Sequence, residues 1–292
     1  MQGQPPKEGR RLCLDRQGEL SVSHSMVQSP AQAGRSLRAF IFDLDGTLLD
    51  SRKQVPPANR EAILGLRRRP GALVAFATAR PPRATYPLLD GLADTGHLIC
   101  YNGAVVFHDR KRVSDALIPA SLVHELLERM AGHFPELACG LEHDNELYCV
   151  GNFDRHFPCD YQANLQRSQL PIRPTPKILI DVPTPAHVAP LRALLPQDCE
   201  SVLTDKGGLL QVMFRGVSKR SAVAALLHAH GIRWDETVCF GDDLNDLELI
   251  RACGTSVAMG NAHPEVLQAA THSTLSNDEA GVAAALHSLG LS

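Results

Sequence analysis

Residues 39–50, AFIFDLDGTLLD, decide the fold of this chain. The first four residues form an apolar run that is typical of a strand buried on both faces of a parallel sheet. The run ends at Asp43 and Asp45, and Gly46 predicts a tight turn directly after them. If the chain bends after Asp43, the two carboxylates approach one small volume, where they repel each other unless a cation neutralises them. The stretch therefore indicates an acid/base pair or a hard-cation site, and a simple helix cap is the competing interpretation.

The composition of the chain argues against several classes of protein. Its 292 residues allow one large domain or two of ordinary size, and its hydrophobic content of 44% is normal for a globular protein. The net charge of −3 without a long basic run argues against nucleic-acid binding, and no apolar run has the length of a membrane span. The eight cysteines form no Cys-x-x-Cys pair, so with no secretion signal we expect a cytoplasmic location. The sequence gives no sign of an oligomeric state.

Residues 1–36 differ from the rest of the chain. They are rich in Gln, Ser, Gly and Pro without sustained periodicity, so we predict a mobile N-terminal tail. Two alternatives stay open at this point. The basic residues and serines also suit a transit peptide, although acidic residues count against it, and Met26 is a possible alternative start.

Strand and helix patterns alternate in residues 37–103 and again in residues 209–292. A buried strand over 72–77 ends at Thr78-Ala79-Arg80, and a short strand over 98–100 ends at Tyr101-Asn102-Gly103. This alternation predicts an α/β fold with a doubly wound, mainly parallel, Rossmann-like sheet. Such sheets bind ligands at the carboxyl ends of their strands, where these polar residues lie.

The pattern changes over residues 104–208. Two short strands, 138–142 and 146–150, flank Asp144-Asn145 and predict a hairpin, and a helix precedes them. We therefore predict an inserted α+β domain with these bounds. Its hairpin turn is by default a solvent-exposed turn, and Arg155 and His156 are weaker candidates for contacting a substrate.

A second group of acids follows a later buried strand. The strand over 237–240 ends at Gly241-Asp242-Asp243, so we expect both aspartates at the same sheet edge as Asp43 and Asp45. Ligands that are all oxygen favour Mg²⁺ over zinc or copper. Lys219 begins a predicted helix and Thr78 ends a strand, so an ammonium and a hydroxyl are available for a phosphate group.

These motifs resemble those of the haloacid dehalogenase-like (HAD) hydrolases. Asp43-Leu-Asp-Gly-Thr, Thr78, Lys219 and Gly241-Asp-Asp-Leu-Asn-Asp246 occur in the order of that family's four motifs, and the likeness covers about residues 37–292. The chain further resembles the Cof-type phosphatase branch, which carries an α/β cap between the second and third motifs. That second likeness rests on the position of the insert and on three segments: Asn102-Gly-Ala, Gly216-Val-Ser-Lys and Met259-Gly-Asn-Ala.

The resemblance implies a Mg²⁺-dependent phosphatase that acts on small phosphorylated metabolites, such as a sugar phosphate, a nucleotide or a cofactor precursor. Asp43 would be the nucleophile that forms an aspartyl-phosphate, and Asp45 would act as the acid and then as the base. The other implied roles are as follows: Asp43, the carbonyl of Asp45, Asp242 and Asp243 for Mg²⁺; Thr78, Lys219, Asn245 and the amides of Leu44 and Ala79 for phosphate; Asp246, Arg80 and Asn102 in support.

Two departures from the family pattern concern the phosphate site. The family usually has Thr-Gly-Arg where this chain has Thr78-Ala79-Arg80, and alanine does not suit a position that needs a positive φ. Arg220 stands where the family often has glycine. Two other functions remain as alternatives: a phosphomutase of the phosphomannomutase type, and a non-catalytic metabolite-binding regulator on the same fold.

Overall fold

The computed structural model describes residues 37–157 and 165–291, so the predicted tail, 1–36, lies outside the described residues. Two sheets dominate this part of the chain. No helix within the described ranges is both long and apolar enough to cross a membrane.

Thirteen strands and eight α-helices are found between residues 37–157 and 165–291. The strands are β1 (Ala39–Asp43), β2 (Leu73–Ala77), β3 (His97–Cys100), β4 (Val105–His108), β5 (Lys111–Asp115), β6 (Cys139–His143), β7 (Glu146–Val150), β8 (Lys177–Asp181), β9 (Cys199–Thr204), β10 (Leu209–Phe214), β11 (Thr237–Gly241), β12 (Thr255–Ala258) and β13 (His272–Ser273). The helices are α1 (Pro57–Leu66), α2 (Pro82–Leu89), α3 (Ala120–His133), α4 (Val188–Ala193), α5 (Lys219–Ala229), α6 (Leu247–Ala252), α7 (Pro264–Ala269) and α8 (Gly281–Ser288).

The larger sheet has the order β13-β12-β11-β1-β2-β3-β4-β5, with β1 between the two halves of the strand order. β1 pairs in parallel with both β11 and β2, and Asp43 lies opposite Ala77. The carboxyl ends of these three strands therefore lie side by side. The strands are buried along their whole length, and the Phe42 ring stacks on Phe240 with centroids 5.0 Å apart. This burial on both faces is what the apolar runs predicted.

The smaller sheet is antiparallel, with the order β7-β6-β8-β10-β9. One of its faces shares a hydrophobic cluster with α3 and α4 that includes Val123, Leu126, Leu191, Leu210 and Val212. The predicted hairpin is present as β6 and β7, and Asp144 and Asn145 both have positive φ at its turn. We call residues 116–157 and 165–216, which carry this sheet, the cap.

The strand pairings place both ends of the insert at residues different from those predicted. Residues 104–115 were assigned to it, but β4 pairs antiparallel with β3 and β5 pairs with β4, so both belong to the larger sheet. The tight turn at Tyr101-Asn102-Gly103 sends the chain straight back along β3, which a parallel α/β pattern does not predict. At the other end, β10 was assigned to the core, but it pairs with β8 and β9 in the cap sheet.

Candidate active site

The turn after β1 contacts the acidic segment that begins at Asp242, and so brings it close to Asp43. Gly46 has a φ of +81°, and a Cβ added there would lie 2.2 Å from Oδ2 of Asp242. A side chain at this position would therefore displace the Asp242 carboxylate. The Thr47 hydroxyl donates a hydrogen bond of 2.7 Å to Oδ1 of Asp242, and the Asn261 side chain donates to the Gly46 carbonyl at 2.8 Å. The Thr47 hydroxyl thus holds the carboxylate of Asp242, which is 195 positions away in the sequence.

Three carboxylates converge beneath this turn. Within residues 37–157 and 165–291, Asp43, Asp242 and Asp246 are the group whose ligand atoms lie within 4.8 Å of one another and could hold a metal ion. Lys219 lies among them with 1% of its side chain exposed, and its Nζ is 2.5 Å from Oδ1 of Asp43 and 2.7 Å from Oδ1 of Asp246. One buried ammonium therefore pairs directly with two of the three carboxylates.

The crowding is visible in the pKa values. Burial, followed by the charge of Asp246, raises the pKa of Asp43 well above its ordinary value, and the Lys219 charge opposes that rise. Burial also raises the pKa of Asp242 to about 6. Burial favours the neutral form of Lys219, but the charges of Asp246 and Asp43 outweigh it and raise the pKa of the lysine. This all-oxygen donor set with excess negative charge fits a hard divalent cation.

The start of α5 positions Lys219. The Ser218 side chain accepts a hydrogen bond from the Ser221 amide, which caps the helix as the sequence predicted. Gly103, with a φ of +111°, lies against this start, and a Cβ there would be 2.2 Å from the Ser218 carbonyl oxygen. The glycine of the Asn102-Gly103 segment therefore has a structural role, because it allows the end of β3 to approach the helix that carries Lys219.

Asp45 has different neighbours from Asp43. Arg80 donates two hydrogen bonds to its carboxylate, at 2.6 and 2.7 Å, and Lys53 donates a third at 2.8 Å. Burial alone would raise the pKa of Asp45, but the hydrogen bonds from Arg80 and Lys53 outweigh it and lower that pKa to about 2. The two aspartates of the first motif are thus set apart by environment, one crowded by acids and one held by cations.

The end of β2 supplies the predicted threonine. The Thr78 hydroxyl accepts a hydrogen bond from the Arg80 amide at 3.1 Å, and the Thr78 carbonyl accepts one from the Asn102 amide at 2.9 Å. Ala79 does not have a positive φ, so alanine in place of glycine is unstrained here. The Ala79 carbonyl accepts a hydrogen bond of 3.0 Å from the buried Lys177 of the cap.

The remaining predicted residues surround this centre. The Asn245 amide donates to Oδ1 of Asn102 at 3.3 Å. Asp246 accepts from the backbone amides of Asp242 and Asp243, whereas the Asp243 side chain accepts from the next amide, that of Leu244, at 2.8 Å. Asp246, predicted as a supporting residue, therefore completes the three-carboxylate group instead of Asp243.

A cavity of about 550 Å³ lies over this centre, between the larger sheet and the cap. Its core wall includes seven predicted site residues: Asp43, Asp45, Thr78, Ala79, Arg80, Asp243 and Asn245. Leu44 is fully buried between the two aspartates. The other predicted residues contact wall residues: Lys219 and Asp242 lie beside Asp43, Asp246 accepts from the Asp243 amide, and Asn102 accepts from Asn245. The structure thus brings all twelve predicted site residues to one edge of the sheet.

The cap wall of the cavity holds residues that the sequence analysis largely missed. It comprises His156, Phe157, Thr204, Asp205, Leu209 and Gln211. His156, a weak candidate from the sequence, is nevertheless on this wall, where its ring bridges the carboxylates of Asp205 and Asp181. Arg155 binds Asp181 as well and holds the segment to the cap sheet. Lys53 was also missed, although a basic residue eight positions after Asp45 could have drawn attention to it.

Comparisons with known proteins agree with this geometry. A family model described as haloacid dehalogenase-like hydrolase matches residues 40–286. YxeH of Bacillus subtilis is 29% identical over 267 residues, which is 86% of this chain and 97% of YxeH. The pyridoxal phosphate phosphatase YbhA of Escherichia coli is 27% identical over 248 residues, covering 78% of this chain and 90% of YbhA.

Solved structures show the same fold. A haloacid dehalogenase-like hydrolase from Bacteroides thetaiotaomicron superposes with a TM-score of 0.76 at 25% identity, covering 87% of this chain and all of that one. A protein from Thermotoga maritima gives a TM-score of 0.75 at 27% identity over 86% of this chain. The α/β fold with a cap, predicted from the motifs, is confirmed. With a family model that spans most of the chain and the motif residues gathered at one site, this protein belongs to the haloacid dehalogenase-like hydrolases.

Proposed function

We propose that this phosphatase-type hydrolase cleaves small phosphate monoesters with Mg²⁺ through an aspartyl-phosphate on Asp43. The observation that carries the proposal is the arrangement at the floor of the cavity: one carboxylate held by a buried lysine, beside a second carboxylate held by two cations. A nucleophile and a proton carrier thereby face the same volume.

Asp43, Asp242 and Asp246 are the side chains that would hold or directly surround Mg²⁺ in this proposal. The ion would supply positive charge to the phosphoryl oxygens and relieve the repulsion among the carboxylates. Asp243 lies on the cavity wall, where it would act through the outer part of the metal site. The carbonyl of Asp45, predicted as a ligand from the family resemblance, remains a prediction.

In the first step, a carboxylate oxygen of Asp43 forms a bond to phosphorus as the bond from phosphorus to the ester oxygen breaks. The Lys219 charge and hydrogen bond lower the pKa of Asp43 against the effect of burial and so favour its carboxylate form. The departing alkoxide takes a proton from Asp45 and leaves as the alcohol. In the second step, Asp45 removes a proton from a water molecule, and the water oxygen bonds to phosphorus as the bond from phosphorus to the Asp43 oxygen breaks. Inorganic phosphate leaves, and the Asp43 carboxylate is regenerated.

Arg80 and Lys53 give Asp45 its two roles in this scheme. Without substrate they hold it as a carboxylate, which cannot donate a proton. A phosphate dianion in the cavity attracts both cations, and their movement toward it raises the affinity of Asp45 for a proton, which Asp45 takes from solvent before the ester bond breaks. The Thr78 hydroxyl, Asn245 and the amides of Leu44 and Ala79 are assigned to the phosphoryl oxygens, as the resemblance implies.

The size of the cavity supports a small substrate. About 550 Å³ between the core and the cap accommodates a metabolite but not a folded phosphoprotein. YbhA is named as a pyridoxal phosphate phosphatase, and YcsE of Bacillus subtilis, 25% identical over 256 residues, as a 5-amino-6-(5-phospho-D-ribitylamino)uracil phosphatase. We infer a phosphorylated metabolite of similar size for this chain.

The test is hydrolysis of p-nitrophenyl phosphate by the purified protein, with Mg²⁺ and after treatment with EDTA. We expect turnover with Mg²⁺, its loss after chelation and its return when Mg²⁺ is added back. Turnover that is indifferent to EDTA, or no turnover of any phosphate ester in a metabolite panel, would overturn the proposal.

A further inference from the structure

Gln211 is a polar residue in an otherwise apolar strand. β10 reads LLQVMF, and Gln211 pairs with Leu179 of β8 on one side and Val202 of β9 on the other. Because side chains alternate along a strand, Gln211 is on the face opposite Leu210 and Val212, which pack against the cap helices. It therefore faces the core and lines the cavity above the acid cluster.

One atom of this side chain lacks a partner. Among the side chains of residues 37–157 and 165–291, Oε1 of Gln211 is the buried nitrogen or oxygen atom for which no hydrogen bond is found, although Gln211 is only 7% exposed. Leaving a buried acceptor unsatisfied is unfavourable, so such an atom calls for an explanation. A donor carried by whatever occupies the cavity would provide one.

Thr204 fixes which end of the amide is left over. The Thr204 hydroxyl donates to the Leu209 carbonyl at 3.4 Å, so its oxygen is available as an acceptor. Nε2 of Gln211 donates to that oxygen at 2.9 Å. The NH₂ end of the amide is therefore the one bound to the cap, and the carbonyl end remains for a ligand.

The neighbours of Gln211 define the chemistry of this wall. Asp205 offers a carboxylate, and His156 is already bound to Asp205 and Asp181. Phe157 and Leu209 add apolar surface. Among the described residues that line it, this wall therefore presents hydrogen-bond acceptors and apolar contacts, and none of them is a lysine or an arginine that could bind a second phosphate or a carboxylate.

We propose that Gln211 is a specificity-determining residue that accepts a hydrogen bond from an uncharged O–H or N–H group on the alcohol part of the substrate. This inference rests on the proposed phosphatase function and narrows its substrate class. The phosphate lies on the Asp43 side of the cavity, and the alcohol part extends to β10. Good substrates are then phosphate esters of polyhydroxylated or N–H-bearing alcohols.

The experiment compares two kinds of substrate in Gln211→Met, which keeps the length of the side chain but removes its acceptor. p-Nitrophenyl phosphate has no donor on its leaving group. The partner substrate is whichever of glucose 6-phosphate, ribose 5-phosphate, glycerol 3-phosphate and AMP the unaltered enzyme hydrolyses best. We expect kcat/KM for the donor-bearing ester to fall about three- to tenfold, the range for one neutral hydrogen bond, and that for p-nitrophenyl phosphate to change less than twofold.

Two further variants separate recognition from structure. Gln211→Glu keeps an acceptor and should retain more of the preference for the donor-bearing ester than Gln211→Met. Gln268→Met, on the exposed surface of α7, should leave kcat/KM unchanged for both substrates. Equal loss on both substrates together with a lower Tm would assign Gln211 a structural role and overturn the inference, as would an unchanged ratio. Absence of Mg²⁺-dependent turnover in the unaltered enzyme would instead overturn the proposed function, and this inference with it.

Discussion

At the scale of single residues, each aspartate of the site has a different hydrogen-bond or ion-pair partner. Asp43 pairs with Lys219, Asp45 pairs with Arg80 and Lys53, and Asp242 accepts a hydrogen bond from the Thr47 hydroxyl. For Asp242, burial and the charge of Asp246 outweigh the Thr47 hydrogen bond and the charge of Lys219. Its raised pKa, about 6 instead of 3.8, means that the folded protein binds this proton more tightly than the unfolded chain.

This difference predicts a pH-dependent stability. Because the folded pKa of Asp242 is raised, metal-free protein loses stability as pH rises from about 4 to about 6, and the loss persists at pH 7. Asp242→Asn should remove it. We expect the variant to be more stable than the natural protein by about 1–2 kcal/mol at pH 7 without metal, with little difference at pH 4. Urea unfolding at both pH values measures this.

A second experiment measures how Mg²⁺ changes the stability of the same two proteins. The ion should raise the Tm of the natural protein by binding the folded state, and should raise that of Asp242→Asn much less. Asp90→Asn, at a side chain that is 89% exposed, is the control and should follow the natural protein. A variant that is less stable than the natural protein at pH 7 would show that Asp242 is not electrostatically crowded.

At the scale of elements, the junction between the end of β3 and the start of α5 sets the position of Lys219. Gly103→Ala places a Cβ 2.2 Å from the Ser218 carbonyl at a φ of +111°. Both effects strain the start of the helix, so we expect a loss of about 2–4 kcal/mol in the free energy of unfolding and lower turnover.

Gly65→Ala is a matched control for this change. Gly65 lies within α1, and nothing is within 4 Å of an added Cβ. Alanine there should stabilise the protein by about 0.5–1 kcal/mol and leave turnover unchanged. If both variants unfold at the same urea concentration as the natural protein, the junction does not have the tight packing described above.

Elements also show what the sequence could and could not predict. The strand ends were predictable because each buried apolar run stops at a residue with chemical function, as at Asp43 and Thr78. The HAD family assignment and its enzymatic nature are confirmed. The ends of the insert were wrong, because β4 and β10 are apolar strands of similar length whose sheet depends on their partners. Lys53 was missed because its contact with Asp45, eight positions away, depends on the conformation of the intervening turn. Gln211 could not be assigned, because its position on the cavity depends on how the cap packs on the core.

At the scale of the whole molecule, buried polar contacts connect the cap to the core. Arg83 of α2 donates to both carboxylate oxygens of Glu142 on β6, at 2.7 and 3.1 Å, and the Glu142 side chain is 2% exposed. Lys177 of β8 donates a hydrogen bond to the Ala79 carbonyl, just after the end of β2. These contacts set the position of the cap above the cavity.

Removing one partner should therefore be costly. Arg83→Met leaves a buried carboxylate beside Lys177 alone, so we expect a loss of about 2–3 kcal/mol in the free energy of unfolding. Arg112→Met, which removes an exposed pair with Asp115 at 3.4 Å, is the control and should change stability by less than about 0.5 kcal/mol. Equal effects of the two variants in urea unfolding would contradict a role for the buried contact.

In the proposed mechanism, Asp43 carries the phosphoryl group during turnover. The most direct measurement is to quench the enzyme with acid during hydrolysis of p-nitrophenyl phosphate, reduce it with borohydride and map the product by tandem mass spectrometry. Borohydride reduces an acyl phosphate on Asp43 to homoserine, so we predict the corresponding mass change at residue 43. This change should require both substrate and Mg²⁺ and should be missing in Asp43→Asn. That variant should also lose at least about 10⁴-fold in kcat. Modification of another residue, or an Asp43→Asn variant with full turnover, would contradict the account.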